Sequence, residues 1–398
     1  MNYELKSELN KIKEEFEISN LKLEKITEAF YNDMAKKQSL MMLPTHIKAV
    51  DTVVADEYLS IDLGGSNIRI SKFKIFEDNV ELIHNIKVPL KNRFADYTSS
   101  KYSLKDLLVM VLKKMARFLD KEKLYSMGIT ISFGMESISK NKATIIELSK
   151  GFTLKDTLGE DVYQIINEAI NEVNLKIIPT VILNDVVATL VTGKFNIPNA
   201  RIAMIVGTGH NASFINKDGY IINIESANFN ENIPVTKFDK KVGFNFPNES
   251  DKLLELMVGG KYIGAIAKEI IKELEDKKLV KEFGLITTKR LIRNLNKKYS
   301  LKYSSEQLEV LSFVTKVILK RAAKLVVAEA KAILRFMEVN LEENHSIVFD
   351  GSVYENCEYF RQEITKQLEV VFEGTKISHK LIKDASGIGA AIASSAKV

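Results

Sequence analysis

An aspartate, two glycines and a serine end an apolar run in YLSIDLGGSNIRI: Asp62, then Gly64, Gly65 and Ser66, before a second apolar run begins. The glycines remove the Cβ atoms that would keep an anion from the backbone N–H groups, and the serine adds a hydroxyl donor, so the turn can cradle a phosphate. It is not a Walker loop, which needs Gly-Lys-Ser entering a helix. Nor is it a dinucleotide fingerprint, because a strand and not a helix follows. A Gly-Gly turn alone is usually a plain hairpin. The design repeats, however, in RIAMIVGTGHNASFI, where Gly207-Thr208-Gly209 again joins two apolar runs. Two further segments have the residues of a nucleotide cleft: IVFDGSVYEN, with Asp350, Gly351 and Ser352, and DASGIGAAIASSA, with Gly387 and Gly389. Each of these alone reads as packing glycine.

These turns need elements to hold them. Leu5, Leu9, Ile12 and Phe16, then Leu23, Ile26, Phe30 and Met34, recur at helical spacing and predict a helix over 3–36 laid on the body of the protein. Pro44 ends that pattern. Strands follow at YLSID, NIRISKFKIF and VELIHNIKVPL, then at 128–133, 180–185, 201–207, 212–216 and 346–351. Helical stretches at 104–119, 160–173, 251–274 and 310–338 alternate with them. The pattern is α/β, and residues 64 and 207 lie about one lobe apart. One phosphate hairpin per lobe is the arrangement of the two-lobed actin-like ATPase (ribonuclease H-like) fold, with the site in the interlobe cleft.

Composition narrows the class. A chain of 398 residues with 45% hydrophobic and 27% charged residues suits two folded lobes. Its 57 Lys and Arg are interspersed with 52 Asp and Glu, for a net charge of +5, which argues against nucleic acid or an anionic membrane as partner. Cys357 is the only cysteine, so no intrachain disulfide is possible and a reducing cytoplasm fits. No run approaches the roughly 20 apolar residues of a membrane span, and the first residues have no signal-peptide core. The five histidines are scattered, which makes a histidine or cysteine metal site improbable.

In order along the chain, FYNDMAKKQSLMMLPTHI, DLGGSNIR, GITISF, LSKGFTL, LNDVVATL, IVGTGHNASF, INIESANF, LMVGGKYIG, FDGSVY and DASGIGAA resemble the hexokinase family, glucokinase included. The resemblance implies a single catalytic unit. Its small lobe would be 55–184 plus 387–398, and its large lobe 1–54 plus 185–386. It also implies ATP-dependent phosphorylation of the 6-hydroxyl of glucose and related hexoses, the first step of glycolysis, with Mg2+ as cofactor, by a monomer or homodimer.

Read without the family, Asp185 at a strand end is a helix N-cap. The resemblance makes it the general base that takes the proton of the sugar hydroxyl, with Lys150 beside it in catalysis. The matching sugar contacts are Ser132, Ser149, Lys150, Asn184, Asp185, Asn211, Glu225 and Glu255. On the nucleotide side Asp62 matches the residue that places magnesium, through water. Gly64, Gly65, Ser66, Asn67 and Arg69 match the first phosphate segment, Gly207 and Thr208 the second, and Asp350, Gly351 and Ser352 the adenosine segment, with Gly387 nearby.

The chain also departs from the family pattern. Gly134 replaces a proline and is expected to loosen the loop carrying Ser132. Ser226-Ala227-Asn228 replaces Trp-Gly-Ala, Ser149 replaces threonine and Ile388 replaces lysine. His210 occupies a variable position. These changes keep open a sugar sensor with weak turnover, or a kinase for another sugar.

Overall fold

The structure is a computed structural model and describes residues 2–49, 52–148, 151–246, 250–297 and 303–396. Its strands are β1 (Leu43–Lys48), β2 (Asp56–Leu63), β3 (Asn67–Ile75), β4 (Val80–Pro89), β5 (Tyr125–Ile131), β6 (Gly134–Ser139) and β7 (Lys142–Glu147). Beyond them come β8 (Ile177–Leu183), β9 (Ala200–Val206), β10 (His210–Ile215), β11 (Tyr220–Asn223), β12 (His345–Asp350) and β13 (Ile377–Leu381). The helices begin with α1 (Tyr3–Phe16), α2 (Asn20–Lys36), α3 (Leu104–Met115), α4 (Val162–Val173), α5 (Asp185–Asn196) and α6 (Lys237–Asn245). They continue through α7 (Leu253–Val258), α8 (Gly260–Asp276), α9 (Thr288–Leu295), α10 (Ser305–Phe336), α11 (Ser352–Asn356), α12 (Glu358–Val371) and α13 (Ala385–Ser395).

Two sheets repeat one design. The first runs β4-β3-β2-β5-β8, and the second contains β11-β10-β9-β12-β13, with β1 added beyond β11. In each, three antiparallel strands are followed by two that join in parallel. The turns β2–β3 and β9–β10 therefore occupy equivalent places, and they are the two glycine hairpins. This is the mixed α/β, two-lobed architecture of the actin-like fold.

The predicted helix over 3–36 is two helices. Glu17 turns extended, and the Ser19 side chain accepts from the Lys22 N–H to cap the second. The stretch 251–274 also divides, at Gly259, whose backbone is extended; a side chain there would meet the Glu255 carbonyl oxygen at 2.8 Å, so glycine holds the place. The β6–β7 hairpin escaped the sequence reading.

Helices α3 and α4 cover the outer face of the first sheet with Leu107, Val111, Ile166 and Ile170. Helices α1, α2, α8, α10 and α12 cover the second. Between the sheets lie α5 and α13, in a core of Val187, Val191, Ala390 and Ala393. This packing requires close backbone approach. A Cβ on Gly389 would stand 1.9 Å from the carbonyl oxygen of Ala188 in α5, and one on Gly128 would stand 2.1 Å from that of Ala390 in α13. Hydrogen bonds from Thr192 to the Ala385 carbonyl, 2.7 Å, and from Thr130 to the Ser386 carbonyl, 3.1 Å, fix the register.

Gly389→Val is therefore expected to lower the melting temperature, overpacking here costing at least about 1–3 kcal/mol, and to reduce activity with it. An unchanged melting temperature would show that this contact does not constrain the fold.

Candidate active site

The parallel strands of both sheets end at one cleft of about 320 Å3. Asp62 lies near the end of β2, Ser132 just past β5, Asn184 and Asp185 past β8, Gly207 past β9 and Asp350 at the end of β12. Sites at the carboxyl ends of strands are a rule of such sheets. The cleft is also lined by Gly64, Gly65, Ser66, Asn67, Arg69, Thr208, Asn211, Glu225, Glu255, Gly351 and Ser352. Ser149 and Lys150 lie outside the described residues. Gly387 is buried and is not among the lining residues, although its neighbour Ser386 is.

Asn184 is the N-cap residue of α5, its side chain accepting from the Val186 N–H at 3.1 Å, and Asp185 Oδ1 accepts from the same N–H at 2.9 Å. Asp185 is the first helical residue and lines the cleft, where the Ser132 hydroxyl donates to its Oδ2. Ser132 is held in turn by its N–H on the Leu63 carbonyl, 3.2 Å. Gly134, expected to loosen this loop, instead opens β6 opposite Glu147, where a Cβ would approach that of Glu147 to 3.1 Å.

Polar side chains surround Asp185 on one side. The Asn184 amide donates to the Phe133 carbonyl at 3.2 Å and to Glu225 at 3.5 Å, and the Asn223 amide donates to Glu225 at 2.8 Å. Asn211 donates to Asn223 and accepts from the Ser226 N–H, 3.0 and 3.2 Å. Glu225 adopts the left-handed backbone conformation with φ 54°, strained for a residue with a Cβ. Its segment is therefore tightly built even without the tryptophan of the family pattern. Glu255 lies against the second hairpin. It accepts from the His210 N–H at 3.2 Å, and a Cβ on Gly209 would stand 2.5 Å from its Oε2.

On the other side, the N-terminus of α8 fixes the second hairpin, with the Gly260 and Lys261 N–H groups donating to the carbonyls of Gly207 and Thr208 at 2.8 and 2.9 Å. Gly351, with φ 106°, crosses just behind; a Cβ there would meet the Val206 carbonyl oxygen at 2.6 Å. The first hairpin carries Arg69, paired across β2–β3 with Asp62 at 3.1 Å and reaching Asp384 at 3.3 Å. Ser386 donates to the same Asp62 oxygen at 2.8 Å.

His210, given little weight in the sequence, proves to be a buried structural residue. Its ring contacts Glu329 of α10 at 2.6 Å and the Ile205 carbonyl at 3.0 Å. Burial alone would depress its pKa, but Glu329 beside it raises it. Sequence reasoning also missed Lys87, Glu147 and Lys252 on the cleft wall. Glu147 and Lys252 form an ion pair, and they come from chain segments a hundred residues apart that no spacing connects.

The cleft is acidic. Burial raises the pKa of Asp62, and the Asp185 charge adds to the shift although Ser386 and Arg69 oppose it. Burial, with Asp62 nearby, pushes Asp350 up to about 6. Burial, with Asp185 and Glu147 nearby, pushes Glu225 up to about 7. Among the described residues no group of three or more His, Cys, Asp or Glu could hold a metal ion. Magnesium needs only one or two carboxylates and otherwise rides on phosphate oxygens, and Asp62 on the cleft wall could supply one. Asp62, strained by neighbouring negative charge, is where a cation would relieve the repulsion.

A raised carboxyl pKa means that the folded protein keeps a proton that the unfolded chain has lost, so stability falls as pH rises. For Glu225 this interval runs from its ordinary value of 4.5 to about 7. Urea midpoints measured across it should fall less in Glu225→Gln than in the parent, with the variant the more stable at the upper end. Parallel profiles would contradict the assignment.

Two family models, both described as Hexokinase, match residues 8–195 and 201–396. Hexokinase-3 of Oryza sativa subsp. japonica is 27% identical over 414 residues, which cover 89% of this chain and 81% of that protein. Hexokinase-2 of Homo sapiens is 25% identical over 405 residues, 89% of this chain and 43% of that one. Among solved structures, a hexokinase from Schistosoma mansoni complexed with glucose superposes with a TM-score of 0.86 at 22% identity, over 98% of this chain and 99% of that one; this likeness speaks to fold. Among the described residues no helix is long and apolar enough to cross a membrane. Both halves of the chain are matched by the same family, each contributing one of the two hairpins at the cleft, and the chain belongs to the hexokinase family of sugar phosphotransferases.

Proposed function

We propose that the protein transfers the terminal phosphoryl group of ATP to the 6-hydroxyl of glucose and closely related hexoses, with Asp185 as general base. The observation that carries this reading is the position of Asp185. Its carboxylate sits in the cleft on Ser132, with Asn184, Asn211, Glu225 and Glu255 lining the same cavity and the two glycine hairpins beyond. The polar side chains form a ring of donors and acceptors suited to sugar hydroxyls, which a buried site holds by pairing each one. The glucose held by the Schistosoma mansoni hexokinase supports the choice of sugar.

In this reading Ser132 and the α5 N-terminus aim the Asp185 carboxylate at the hydroxyl, and Asp185 accepts the proton as the oxygen attacks. Phosphoryl transfer is loose and demands positioning more than covalent chemistry. Backbone donors at Gly65, Ser66 and Thr208 would face the phosphates, and Arg69 adds positive charge. Gly64 and Gly207, whose N–H groups close the turns on the Asn67 and Gly209 carbonyls, would leave room for them, and Asn67 borders the same turn. Asp350, Gly351 and Ser352 border the adenosine. Lys150 and Ser149 complete the sugar contacts. Asp62 would hold magnesium through water, and the ion would supply screening between the attacking oxygen and the phosphates.

We assign 55–184 with 387–398 to one lobe and 1–54 with 185–386 to the other, closing on the sugar. The Glu147–Lys252 pair then joins the lobes across the cleft mouth and suits a closed form that excludes water.

Asp185→Ala is expected to lose about 100- to 10,000-fold in kcat while melting near the parent temperature and still binding glucose by calorimetry. Undiminished turnover would refute the base, and lost glucose binding in a folded variant would make Asp185 mainly a sugar anchor.

A further inference from the structure

A second cavity, of about 180 Å3, lies among helices α1, α10 and α12 and shares no lining residue with the cleft. Its apolar wall includes the rings of Phe16, Phe313 and Tyr359. Around them stand five cationic side chains, Lys13, Lys316, Lys320, Arg321 and Lys324, and a single carboxylate, Glu17. Glu17 is occupied by Lys320 at 3.0 Å and by Lys324, which also donates to the Ile18 carbonyl. Arg321 is engaged by Asp239 through two hydrogen bonds of 2.6 and 2.8 Å. Lys13 and Lys316 make no ion pair among the described residues, so the cavity keeps a positive excess. The Lys316 ammonium lies 5.7 Å from the Tyr359 ring centroid, close to the apolar wall. Arg321 is itself fully buried, yet its Nε–H finds no acceptor among the described residues.

We propose that this cavity is a binding site for a small amphipathic carboxylate, an anionic head on a short aliphatic or aromatic body. The head answers the uncompensated lysines and the apolar body covers the aromatic wall, as in other small-molecule pockets, where a few charged groups orient a mostly apolar ligand. A cavity below the roughly 300 Å3 at which drug-sized sites begin limits the body to a short chain or one ring. Sugar phosphates and nucleotides fit poorly, because their hydroxyl-rich bodies would face Phe16, Phe313 and Tyr359 without partners.

Octanoate is the probe, titrated calorimetrically into the full-length protein beside 1-octanol and inorganic phosphate. The site predicts saturable one-to-one binding of octanoate at least about tenfold tighter than either control, since each half of the ligand contributes. The double variant Lys13→Glu, Lys316→Glu changes two exposed side chains outside the cleft. It should weaken octanoate at least about tenfold and leave melting temperature and sugar phosphorylation unchanged. Equal binding of octanol or of phosphate, or undiminished octanoate binding in the folded double variant, would overturn the proposal. Should the variant fail to fold, the comparison of the three ligands on the parent protein decides the matter.

Discussion

Everything at the cleft depends on how closely α5 and α13 approach each other between the two sheets. The Ala188 carbonyl occupies the space that a side chain on residue 389 would need, and the Ala390 carbonyl does the same for residue 128. Glycine at both places lets the helix pair sink into the seam. The same pair presents the chemistry at its N-termini: Asp185 opens α5, and Ser386, in the first turn of α13, bonds Asp62. A contact made for packing thus sets the relative positions of two acids, Asp62 and Asp185, that come from separate segments of the chain.

The acids of the cleft are costly to bury. Burial raises the pKa of Asp62, Asp350 and Glu225, the Asp62 charge adds to the shift of Asp350, and Asp185 adds to those of Asp62 and Glu225. Glu225 and Asp384 also hold left-handed backbone conformations that disfavour side chains. Repulsion and burial of acids at one place are the marks of a surface shaped for ligands rather than for stability. A metal-bearing phosphate chain on one side and a hydroxyl-bearing ring on the other would answer both. Glu255 lies over Gly209 and accepts from the His210 N–H, which ties this carboxylate of the cleft to the second hairpin. The buried His210–Glu329 pair anchors that junction to the longest helix of the molecule.

Much of this was legible in the residues. The two glycine hairpins are local signals, strand, turn and strand within a dozen residues, and the structure places them at equivalent positions of two like sheets. Long periodic stretches such as α10 were also legible, because many turns of helix average out single exceptions. The break at Glu17 and Ile18 was not, since the apolar stripe continues across it and only Ser19 marks the new start. Asp185 illustrates a finer limit: Asn184 and Asp185 both turn back to the Val186 N–H, and the sequence does not say that Asn184 is the cap and Asp185 the first helical residue. The Glu147–Lys252 and His210–Glu329 pairs depend on contacts between distant segments, which composition and spacing leave invisible. In the short β6–β7 hairpin, β6 lacks the alternation that marks a strand, with four of its six residues exposed or half-buried, and β7 alternates over too few residues to stand out.

The central claim, that this cleft joins a sugar hydroxyl to the terminal phosphate of ATP, is tested most directly by ADP release from the purified protein with Mg-ATP. The reactions would contain no sugar, glucose, fructose, mannose or glucosamine. The account predicts release that requires sugar and includes glucose among the acceptors, with slow hydrolysis in the sugar-free reaction. No release with any of the four sugars from protein that still binds glucose, or equal release without sugar, would contradict it.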